Sequence, residues 1–157
     1  LGLNDQQWAG LVDAFPKVAV LIGAADGEMD DAEKAWSSKL SHIRTFSGNE
    51  DLFELYRAIE TVITERIEAL LATHANDPEA REKMIIAELE KVNGILASQH
   101  PKYGAMIYDD LKSFALHVAK TSGGFLRFFS VSKEERDLAE LPMIDEIYYE
   151  EEEEEEE

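Results

Sequence analysis

The residues best placed to do chemistry are carboxylates crowded into one short span. Asp26, Glu28, Asp30 and Glu33 lie within Ala24-Ala25-Asp26-Gly27-Glu28-Met29-Asp30-Asp31-Ala32-Glu33. Hard divalent cations such as calcium or magnesium take several oxygen ligands at roughly 2.0–2.6 Å, and alternate carboxylates converge when a turn curls. Glu33 can reach back from the first turn of the following helix. The spacing is not that of an EF-hand, which needs glycine at its sixth position and a bidentate glutamate at its twelfth. Counting from Asp26, Gly27 is second and Glu33 eighth. The same residues also read as helix punctuation. Gly27 suits the left-handed position that ends a helix, Asp30 caps the next with Glu33 in a capping-box place, and Asp31 and Glu33 complement the positive helix N-terminus. A cation site and a pair of helix caps are both open readings.

Other chemistries find less support. There is no cysteine, which removes disulfides, thiolate metal sites and a cysteine nucleophile together. His42, His74, His100 and His117 are scattered, with no i,i+4 pair and no H-E-x-x-H run, so a zinc enzyme is unsupported. His74 and His100 fall at expected helix ends, where imidazole bonds a terminal carbonyl. His117 sits near an apolar stripe as a satisfied core-edge residue. No G-x-S-x-G elbow and no phosphate loop occurs, and the chain reads as non-enzymatic.

The elements that would position the acidic turn are helical. Asn4 or Asp5 caps a first helix, in which Trp8, Leu11, Val12, Phe15, Ala19 and Ile22 recur at three-and-four spacing and Pro16 is expected to kink or divide it. Trp36, Leu40 and Ile43 mark a second helix, closed by Ser47-Gly48-Asn49. Leu52, Leu55, Tyr56, Ile59, Ile63, Ile67 and Leu70 give the clearest helix, over 50–73. Asp77-Pro78 opens a fourth, running to about Gln99 through Ile85, Leu89, Val92 and Leu96. The short link 73–77 makes these two an antiparallel hairpin. A fifth helix reads from Lys102 to Lys120 and a sixth from Ser132 to Leu141. No stretch has a period of two. The expectation is an all-α fold of about six to seven helices around that central hairpin, with weakly related N- and C-terminal helix-turn-helix halves.

The acidic turn following Val20-Leu21-Ile22-Gly23 resembles the tellurite-resistance TerB-like family, whose first helix commonly runs into a turn of this kind. The resemblance covers residues 15–46 well and 107–147 weakly. In the second half Ser122, Gly123 and Gly124 stand where an acidic turn would fall, and Phe125-Leu126-Arg127-Phe128-Phe129 enlarges the loop, a departure from the family pattern. The resemblance implies an all-helical domain with related halves, acting in tellurite and other chemical-stress responses by binding and assembly, not turnover.

Length and charge bound the rest. One domain, 1–147, is expected, followed by an acidic disordered tail, 148–157. Formal net charge is −19, and removing the eight charges of Glu150 to Glu157 leaves −11. An acidic body without a basic stripe disfavours nucleic acid and favours cations and basic protein surfaces. No apolar run is long enough for a membrane span, so a cytoplasmic protein is expected. The second functional reading is an acidic adaptor that binds a protein partner through the Phe-rich loop 125–129 or the glutamate tail, without metal. On burial grounds Phe125, Phe128 and Phe129 are expected to pack against the first and fifth helices.

Overall fold

The computed structural model describes residues 2–25, 29, 31, 34–35, 39, 50–121 and 137–150. Among them the secondary structure is helical, without a strand, as the absence of a two-residue period requires. Helix α1 runs Asp5–Gly23, α2 Phe53–Ala72 after a 3₁₀ turn at Glu50–Leu52, α3 Pro78–Glu90, α4 Val92–Ala97 and α5 Pro101–Thr121.

Local sequence sets the helix ends. The Asn4 side chain accepts from the Gln7 backbone N–H at 2.8 Å, while Gln7 Oε1 accepts from the Asn4 N–H at 3.1 Å. This reciprocal pair satisfies two donors at the start of α1. Asp77 Oδ1 accepts from the Ala80 N–H at 3.1 Å, ahead of Pro78, whose missing donor costs nothing at a first helical position. Pro16 does not divide α1, which stays one helix through it. The expected helix over 78–99 is instead broken at Lys91, whose N–H bonds back to the Glu88 carbonyl at 3.3 Å.

Helix α1 occupies the centre. It packs against α2, α3, α4 and α5, and Val18, Ala19, Val20, Leu21 and Ile22 are all buried. A helix apolar over most of its circumference must be enclosed on several sides. The Phe15 ring meets Tyr56 edge-on at 5.8 Å and tilts against Phe114 at 5.5 Å, joining α1, α2 and α5. The Tyr56 hydroxyl, otherwise an unsatisfied polar group in this core, donates to the Asp110 carboxylate. Across the 73–77 link the Arg81 guanidinium, 4% exposed, donates from Nη1 to the Leu71 carbonyl at 3.3 Å.

The C-terminal segment returns to the core by another route. Asp137 and Leu138 are helical and the chain then turns, with Leu141 at φ 51° and both Leu141 and Ile144 buried. Both ends of the Asn93 amide hold the segment: Nδ2 donates to the Met143 carbonyl at 3.0 Å, and Oδ1 accepts from the Asp145 N–H at 2.8 Å.

Candidate functional site

The acidic corner begins where α1 ends. The helix stops at Gly23, one turn before Gly27, and Ala24 serves as its cap. The Ala24 and Ala25 N–H groups bond to the Val20 and Ile22 carbonyls at 2.9 and 3.3 Å. Beyond this point Met29 comes back to the helix end. It is 7% exposed, and a Cβ on Gly23 would stand 3.0 Å from its Cε and 3.2 Å from its sulfur. Such close approach fits a glycine at this place, because a larger residue would require the thioether to shift. Met29 is thus part of the core at the end of α1.

On the far side of the corner Asp31 and Lys34 are helical. The Lys34 ammonium lies 2.9 Å from Glu68 Oε1 on α2 and 4.0 Å from Asp31 Oδ1. Its pKa is raised above the ordinary lysine value by the hydrogen bond to Glu68, against an opposing effect of burial, with the charges of Glu68 and Asp31 adding to the rise. Lys34 therefore ties its own position to α2. The four carboxylates named as ligands, Asp26, Glu28, Asp30 and Glu33, lie outside the described residues. Among the described residues no three histidine or acidic side chains converge as metal ligands.

Two histidines have definite partners. His117 Nδ1 donates to the Ser113 carbonyl at 2.7 Å, matching the expected core-edge role. His100 reverses its expected polarity: its Nδ1 accepts from the Lys102 N–H at 3.1 Å, so it helps cap the start of α5 instead of donating to the end of the preceding helix. His42 and the Phe125, Phe128 and Phe129 cluster lie outside the described residues.

Periodicity alone did not reveal the seam between α1 and α2. At one end Asp13, Lys17, Arg66 and Thr73 line a cleft of about 130 Å³. Arg66 Nε is 3.5 Å from Asp13 Oδ1, and Lys17 Nζ is 3.8 Å from Glu88 Oε2. These groups form ion pairs, and the Thr73 hydroxyl donates to the Ala69 carbonyl at 3.0 Å. The sequence signal was the addition of Ala9, Asp13 and Pro16 beside the Trp8 and Val12 stripe, which gives α1 a second face. No helix among the described residues is long and apolar enough to cross a membrane. Comparison with protein-family profiles, with curated proteins and with solved structures finds no match to this chain.

Proposed function

We propose that the chain is a non-enzymatic, TerB-like helical domain that binds a divalent cation, calcium or magnesium, through Asp26, Glu28, Asp30 and Glu33, and that it serves a tellurite or chemical-stress response by binding and assembly. The observation that carries this reading is the contact of Met29 with Gly23. The Met29 side chain lies against a glycine six residues before it, and this nearness of the two flanks supports a reading in which alternate carboxylates converge between them. Lys34, engaged with Glu68 and Asp31, adds to the argument because its ammonium is already neutralised by carboxylates outside the proposed ligand set. The reading also takes α2 and α3 as an antiparallel pair between two related helix-turn-helix halves.

The test is thermal unfolding with calcium, magnesium and zinc at matched ionic strength. A ligand bound only by the native state stabilises by about 2.7 kcal/mol at a hundredfold excess over Kd, and the gain declines as carboxylates protonate. Asp26→Asn and Asp30→Asn should each abolish it, although asparagine still caps a helix. An unchanged melting temperature with all three metals overturns the cation site and leaves two helix caps. The adaptor reading then takes its place, supported by Tyr148 and Tyr149, which stand exposed directly before the glutamate tail.

A further inference from the structure

Above the Asp13–Arg66 ion pair, the seam between α1 and α2 opens into a groove of about 360 Å³. Its apolar wall is Trp8, Ala9 and Val12 from α1 and Ala58 and Val62 from α2, and the ion pair closes one end. Trp8, Ala58 and Val62 are only partly buried, although they pack at the edge of the core. Helical spacing places Asp5 one turn before Trp8 and Ala9, and Glu54 and Glu65 along the line of Ala58 and Val62. All three are exposed. With Arg57 one turn before Thr61, this margin carries four carboxylates, counting Asp13, against two guanidiniums, those of Arg57 and Arg66.

We infer that this groove is a docking site for a basic amphipathic helix of a partner protein. A trough between two helices, walled by Trp8, Ala9, Val12, Ala58 and Val62, suits a helix that presents apolar residues at i, i+3, i+4 and i+7. The acidic margin selects lysine and arginine on that helix's flanks and steers its approach. A second copy of the chain is disfavoured, since each copy carries −19. The site is separate from the acidic corner and needs no metal.

The test is calorimetric titration of the full chain with a synthetic peptide of about 15 residues, carrying leucines on one helical stripe and lysines elsewhere. Its control is a scrambled peptide of the same composition without the stripe, which keeps equal any attraction to the glutamate tail. The striped peptide should bind one-to-one and about tenfold more tightly than the scrambled one. Ala58→Arg, which fills and charges the floor, should abolish that difference. Thr61→Lys, an exposed change at the groove's lip, should weaken the striped peptide at least about threefold and leave the fold intact. Absence of binding, equal binding of the two peptides, or full affinity in both variants overturns the site. So does loss of peptide binding through self-association of the chain.

Discussion

Arg81 shows how much one side chain can hold. Its buried side chain donates to the Leu71 carbonyl at the end of α2. A carbonyl stripped of a buried donor loses about 1–3 kcal/mol. Arg81→Met, which keeps an apolar stem, should therefore lower unfolding stability in urea by that order. Arg81→Lys, which keeps charge without the planar fork, should fall between. A loss below about 0.5 kcal/mol would show that the link is held by the chain ends alone. Sequence reading began the stripe of this helix at Ile85, yet Arg81 precedes Ile85 by four and Leu89 by eight, so it heads the buried stripe of α3. By contrast, the caps Asn4 and Asp77 were legible because capping depends on residues three apart. The polarity of His100 was not, because imidazole both donates and accepts and only its neighbours decide.

Among helices, the glycines of α4 and α5 make opposite predictions. A Cβ on Gly104 would stand 2.9 Å from the Leu96 carbonyl oxygen, a backbone atom with little freedom to move, whereas one on Gly94 meets nothing within 4 Å. Gly104→Ala should force α5 away from the end of α4 and cost about 1–3 kcal/mol. Gly94→Ala should stabilise by about 0.5–1 kcal/mol, since an exposed helical glycine gives up more chain entropy on folding than alanine. Chemical denaturation of the two variants checks both signs, and destabilisation by Gly94→Ala would count against the position of α4. Neither outcome is visible in sequence, where both residues are simply glycines inside helical patterns. The break at Lys91 was equally hidden, because Ile85, Leu89, Val92 and Leu96 keep their spacing across it. For α2 the reading was direct: Leu55, Tyr56, Ile59, Ile63 and Ile67 are all buried, a stripe long enough to admit one solution.

Taken as a whole, the molecule is an acidic body around one enclosed helix. Sequence reading centred the fold on the pair of helices after Glu50, yet the helix that meets most of the others is α1. The signal was present in Val18-Ala19-Val20-Leu21-Ile22, five apolar residues in succession, too broad for a single stripe. At this scale charge repulsion opposes compaction, while exposed ion pairs such as Lys34–Glu68 and Arg66–Asp13 each contribute only about 0–1 kcal/mol. Raising sodium chloride from about 0.02 to 0.5 M shortens the Debye length severalfold. It should therefore raise the melting temperature by a few degrees, and a fall would mean that the ion pairs outweigh the repulsion.

The two-handed grip of Asn93 on the Met143 carbonyl and the Asp145 N–H also defines a path for mechanical load. Tension applied to the chain beyond Tyr148 passes Ile147, packed at the edge of the core, and then reaches this amide at Asp145 before it comes to Ile144 and Leu141. Pulling on the acidic end would thus load the Asp145 bond to α4 before Ile144, and the Met143 bond before Leu141, a clamp on the rope that spares the helices behind it.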